Sequence, residues 1–167
     1  MIRQKDSPIR LWAIQVAIWS PVVALFVYFV GGLIPALSHP MQTGTLPLAL
    51  FRAYSHTCHQ IPERSFFLDN TQFGFCARCT GFYGGLALAS LFVVVTSRTR
   101  QITLPWLLVL CAPILVDVAF DLSSHYSIAN ELRFATGLLG AISVTLFVYP
   151  RFLKAASNSL APDRDTT

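Results

Sequence analysis

The chain has 167 residues, of which 54% are hydrophobic and only 12% charged, and its mean hydropathy is +0.57. About 25% charged residues is usual in soluble domains, so this composition excludes an ordinary soluble domain and points to an integral membrane protein. The formal net charge of +4 is no nucleic-acid signature, because the cations flank apolar runs instead of forming a basic stripe with interleaved aromatics.

A membrane-crossing helix needs roughly 20 mostly apolar residues, and four segments meet or approach that length. The first runs from Leu11 to Leu37 without a charge and holds Gln15 and a mid-helix Pro21. Its basic start and the Ala-Leu-Ser before His39 resemble a cleavable signal peptide. The apolar core of such a peptide spans about 7–15 residues, and this one is much longer, so it is expected to remain as a span. The second covers residues 79–95, where Gly81, Gly84 and Gly85 allow another helix to approach closely. The third covers 102–120 with Asp117 near its end, and the fourth covers 134–150. Residues 1–156 therefore read as a single all-α domain of four transmembrane helices. The small polar tail, 157–167, is expected to be disordered.

Lys and Arg near helix ends set orientation. Arg3, Lys5 and Arg10 precede the first span, Arg98 and Arg100 separate the second and third, and Arg151 and Lys154 follow the fourth. Four spans put all of these on one side. Both termini are then expected in the cytoplasm, and loops 38–78 and 121–133 on the exoplasmic face of a cell (inner) membrane protein. The outer loops carry Arg52, Arg64, Arg78 and Arg133, offset by Glu63, Asp69, Asp121 and Glu131.

Chemically capable side chains gather in those two loops. The stretch "SHTCHQIPERSFF" and the following "FCARCTGFYGG" hold Cys58, Cys76 and Cys79 with His56 and His59. A C-x-x-C pair joined to a second Cys/His pair suits a zinc ion, with Cys58, His59, Cys76 and Cys79 as ligands. His56 is the alternative imidazole, because adjacent side chains do not readily point at one metal. A second reading is redox. The C-x-x-C pair can cycle between dithiol and disulfide, with Arg78 favouring the thiolate, Cys58 resolving, and a quinone taking the electrons. A third is a structural disulfide from Cys58 to Cys76 or Cys79, which leaves one cysteine over. Cys111, among apolar residues, reads as an inert small hydrophobe.

"DVAFDLSSH" spaces Asp117, Asp121 and His125 four residues apart, on one face if the helix continues. An ionisable group at membrane depth is costly and points to function. These groups could bind a metal, relay protons, or pair with Arg64, Arg78 or Arg133. A cation at the start of the fourth span opposes the helix dipole unless it has a partner, so an Arg133–Asp pair is expected. Asn130 shares its helix face. Phe66, Phe67, Phe73, Phe75 and Phe82 form an aromatic cluster suited to an interfacial belt, most of them as anchors and not as a ligand cage.

The motifs "CHQIPERSFF", "CARCTGFYGG" and "NELRFATG" resemble a family of small membrane proteins known as domain of unknown function 2085. The resemblance covers residues 58–140. It implies a multi-span membrane protein with Cys58, His59, Gln60, Arg64, Ser65, Cys76, Arg78, Cys79, Gly81, Asn130, Arg133, Thr136 and Gly137 at motif positions. It names a site without naming a reaction. The family pattern has glycine after the helical aspartate, where this chain has Val118.

The leading expectation is a Cys/His zinc site beside a pocket lined by Asp117, Asp121, Arg64 and Arg133, which take the binding or catalytic roles on a lipid headgroup or small molecule. The lipid bilayer is the expected partner, and nucleic acid is not. The alternatives are a quinone-coupled thiol–disulfide oxidoreductase and a small proton-coupled transporter with Asp117 as its proton site.

Overall fold

Uninterrupted apolar runs with no water to satisfy their backbone must close their own hydrogen bonds, and helices do so within one segment. The protein, here a computed structural model, is described for residues 8–38, 45–96, 101–123 and 128–159. Its elements in chain order are α1 (Pro8–Leu37), α2 (Thr45–Tyr54), a 3-10 turn (Pro62–Arg64), β1 (Ser65–Leu68), β2 (Thr71–Cys76), α3 (Ala77–Val95), α4 (Leu104–Leu122) and α5 (Asn130–Ser159). Four helices are long and apolar enough to cross a membrane: α1, α3, α4 and α5. Pro21 and Pro35 lie inside α1 and Pro150 inside α5, an inclusion that transmembrane helices tolerate.

The helix bounds differ from the hydropathy reading at polar ends. α3 begins at Ala77 and α5 at Asn130, because a first helical turn can be polar without ceasing to be helix. α5 also continues to Ser159, past the expected start of the tail. Residues 160–167 lie outside the described residues, as do Arg3, Lys5, Arg98, Arg100 and His125, and the side chain of Arg10.

The stretch 38–78 is more than a loop, and here the purely helical expectation needs correction. It holds α2 and an antiparallel hairpin, with Ser65 opposite Cys76, Phe67 opposite Gln72 and Leu68 opposite Thr71. Asp69 and Asn70 form the tip with φ of 45° and 64°. Two successive positive φ values are what a type I′ two-residue hairpin turn requires, and Asp and Asn tolerate them better than most residues. β2 runs straight into α3, with Cys76 as both its last residue and the cap of the helix.

α3 packs chiefly on α5, α4 packs against α5, and α1 lies against α3 and β2. Small residues make the α3–α5 contact. A Cβ on Gly81 would run into the Phe134 carbonyl, and one on Gly137 into the Arg78 carbonyl. α4 turns Leu108, Val109, Leu115 and Val116 outward, an apolar face suited to lipid. Two buried clusters fill the interior. One holds Val22, Val93 and Tyr149, and the other holds Tyr54, Cys58 and Phe75. Phe75 is therefore core and not an interfacial anchor: it is fully buried and packs on Tyr28, Tyr54 and Tyr83. Tyr54 donates to the Tyr28 carbonyl at 2.8 Å, and the Tyr28 and Thr57 hydroxyls meet at 2.6 Å. These bonds tie α2 to α1.

Candidate functional site

The first half of the site is made where α2 unwinds. The Cys58 amide still donates to Tyr54 O at 3.0 Å, which turns Cys58 inward to 3% exposure. Two residues on, Gln60 adopts φ 51°, a left-handed conformation that costs a non-glycine residue of order 1–3 kcal/mol unless its surroundings hold it. They do: its side-chain amide donates to Phe51 O at 2.7 Å and Gly74 O at 2.9 Å, and its carbonyl accepts from Gln72 Nε2 at 2.7 Å. The C-H-Q segment is thus stitched to the hairpin. The hairpin in turn delivers Cys76 and, one helical turn along, Cys79.

The three cysteines meet. Their sulfurs all lie within 4.8 Å of one another, and none is in a disulfide. Three sulfurs on a tetrahedral zinc, with Zn–S about 2.3 Å, stand about 3.8 Å apart, so the trio is close to ligand spacing before any ion arrives. The Cys76 amide donates to Cys58 Sγ at 3.1 Å. Hydrogen bonds from the Cys76 and Cys79 side chains, and from the Cys76 and Gln60 backbone, hold the Cys58 thiol far below its ordinary pKa. The Cys76 thiol is pushed up, first by its bond to Cys58. One thiolate stabilised by its neighbours is the arrangement that favours a cation.

Neither His56 nor His59 brings a ring nitrogen into the sulfur group, and both are exposed. The described residues thus form a three-sulfur set and not the four-ligand cage expected from the spacing. His59 instead lines a cavity of about 280 Å³, whose wall also includes Cys76 and Cys79. A fourth ligand would therefore come from the cavity side.

The second half of the site is an ion-pair network on the same cavity. Asp117 and Asp121, four residues apart on α4, share a face. Arg78, from within the C-A-R-C turn, reaches Asp117 Oδ2 with Nε at 2.7 Å and Asp121 Oδ2 with Nη2 at 2.6 Å. Arg133 of α5 reaches Asp121 Oδ1 at 2.7 Å, and Arg64 of the 3-10 turn reaches Asp121 Oδ2 at 3.3 Å. The Thr136 hydroxyl donates to Asp117 Oδ2 at 2.7 Å. Asn130 holds the hairpin by donating to Ser65 O at 3.2 Å. Among the described residues, three buried polar atoms have no partner: Asp117 Oδ1, Asn130 Oδ1 and Arg133 Nε.

The four pocket residues expected from sequence are thus joined, with Arg64, Arg133 and Asp121 on the cavity wall and Asp117 behind it. The hub is Arg78, which the sequence places among the possible partners of the aspartates without singling it out. Arg78 touches both aspartates, and its position inside the C-x-x-C motif on the face of α3 turned to α5 was the available sign. Gln60 had no such sign, because its part depends on a backbone conformation.

Four membrane-length helices, with thiols and paired charges gathered where α3 and α5 begin and α4 ends, define an integral membrane protein with its polar site at the helix ends. Residues 58–147 match the family described as predicted membrane protein (DUF2085), and the chain belongs to that family. An uncharacterised protein of Methanocaldococcus jannaschii is 30% identical over 112 residues, 65% of this chain and 72% of its own. An uncharacterised protein of Methanothermobacter thermautotrophicus is 31% identical over 94 residues, 56% of this chain and 85% of its own. No solved structure matches the chain.

Proposed function

We propose that this is a multi-pass protein of the cell (inner) membrane that binds a metal ion, zinc by preference, on Cys58, Cys76 and Cys79. In the cavity beside it, Arg64, Arg133, Asp117 and Asp121 bind and orient a lipid headgroup or small molecule. The observation that carries the reading is the convergence of three free sulfurs within 4.8 Å from two separate segments. Soft thiolates select zinc among the common divalent ions. With three protein ligands, a metal keeps a fourth position for His59, water or a ligand group, and a zinc-bound water is acidified towards neutrality.

The chain's own residues supply the rest. Gln60 fixes the loop that carries Cys58. The amide of Cys76 donates to Cys58 Sγ and so helps keep that sulfur anionic. Arg78 links the thiol turn to both aspartates, so the sulfur and carboxylate halves of the site share one anchor. The orientation that fits this role has both termini in the cytoplasm and residues 38–78 on the exoplasmic face. It is supported by Arg151 and Lys154 beyond the apolar part of α5 and by the polarity of the hairpin side.

Elemental analysis of purified protein, with thiols counted before and after chelation, tests the proposal. One zinc per chain is expected, with three thiols that become reactive only after chelation. Substituting Cys58→Ser should remove both. A metal-free protein whose cysteines are released by reductant and not by chelator would instead establish a disulfide and end the metal reading.

A further inference from the structure

We infer that the cavity is a receptor for the oxyanion of a phosphate group, gripped by the guanidinium groups of Arg133 and Arg64. The inference rests on the pocket half of the proposed function and is independent of the metal. Three guanidinium groups share two carboxylates here, Asp117 and Asp121. One unit of positive charge is therefore left without a carboxylate inside the network. Arg133 is the sharper observation. Its side chain is only 5% exposed, it lines the cavity, and its Nε hydrogen has no acceptor. Leaving a buried charged donor unpaired costs free energy that an arriving acceptor would recover. Arg64 is the other grip. It is 38% exposed, and its 3.3 Å contact with Asp121 is the longest of the four pairings, so re-aiming it at a ligand costs little.

Shape narrows the ligand. A carboxylate presents two oxygens in one plane, which matches a single guanidinium fork. A phosphate group presents oxygens in several directions, so it can meet Arg133 and Arg64 at once. The volume of about 280 Å³ lies at the small end of ligand pockets, right for a headgroup or a free ion and too small for a whole lipid. Two of the three membrane helices that end here, α3 and α5, do so at their N-termini, which favour anions.

The phosphate could be a phosphodiester headgroup or inorganic phosphate, and the test separates them. Full-length protein in neutral detergent is titrated calorimetrically with inorganic phosphate. Separately, its binding to vesicles of phosphatidylcholine with and without phosphatidylglycerol is measured by co-flotation. Binding of at least one probe is expected, weakened about tenfold or more by Arg64→Gln, the loss of a charge-assisted hydrogen bond. Arg133→Lys keeps the charge and removes the Nε donor, and should weaken binding as well. Response to inorganic phosphate marks a soluble ligand, and response to phosphatidylglycerol alone marks a lipid headgroup. Repeating the phosphate titration on chelator-treated protein separates this inference from the metal reading: phosphate binding is expected to persist, and its loss together with the metal would overturn the inference. If Arg133→Lys does not fold, Arg64→Gln decides alone. Binding of both probes unchanged in Arg64→Gln, or no binding of either, overturns the inference.

Discussion

Asp121 bears more of the site than any other side chain, because three guanidinium groups converge on its one carboxylate. Removing one partner of a buried pair leaves the other charged and unsolvated, a loss of about 3–5 kcal/mol. Asp121→Ala should therefore lower unfolding stability by that order, read by helical circular dichroism in detergent. Arg64→Ala should change it by no more than about 1 kcal/mol, as exposed pairs do. Equal losses in the two variants would show that the network does not hold the helix ends. The thiols make a second prediction. A cysteine whose folded pKa is depressed is already a thiolate above that pKa and gives up no proton to a metal. Cys58 is in that state, whereas Cys76 is shifted upward. Zinc binding near neutral pH should thus release fewer than three protons per ion, measured by calorimetry in buffers of different ionisation enthalpy. A full three would mean that Cys58 is an ordinary thiol.

At the scale of elements, the α3–α5 contact sets the site's geometry, because Cys79 and Arg78 ride on one helix and Arg133 and Thr136 on the other. Gly81 and Gly137 let the backbones touch. Gly137→Val should cost about 1–3 kcal/mol, the usual range for overpacking, and should weaken metal retention by moving the start of α3. Unchanged stability and metal content in that variant would place the tolerance elsewhere. The four long helices were legible in the sequence because hydropathy over about 20 residues is a strong, local property. α2 and the hairpin were not. The ten residues of α2, with Thr45 and Arg52 exposed and Tyr54 buried, carry little periodic pattern. In the hairpin, phenylalanines stand on both faces, Phe67 exposed and Phe75 buried, which masks the period of two. The Asp69-Asn70 pair was the one local cue to a turn.

For the whole molecule, the fold brings residues 58–79 together with 117–121 and 130–136 into one polar site at the ends of apolar helices. Which residue types would gather there was readable from charge costs alone, since aspartates at membrane depth demand partners. How they pair was not. Arg78 had two sequence-plausible roles, favouring a thiolate and pairing with an aspartate, and only the packing of α5 against both α3 and α4 assigns it to Asp117 and Asp121 together. His59 was likewise plausible as a ligand, and only the turn after Cys58 shows it on the cavity wall, apart from the sulfurs. The central claim is a metal on three sulfurs with its remaining position on the cavity side. X-ray absorption at the zinc edge of purified, zinc-loaded protein tests it most directly. Three sulfur neighbours at about 2.3 Å and one nitrogen or oxygen at about 2.0–2.1 Å are expected. A first shell without sulfur would contradict it.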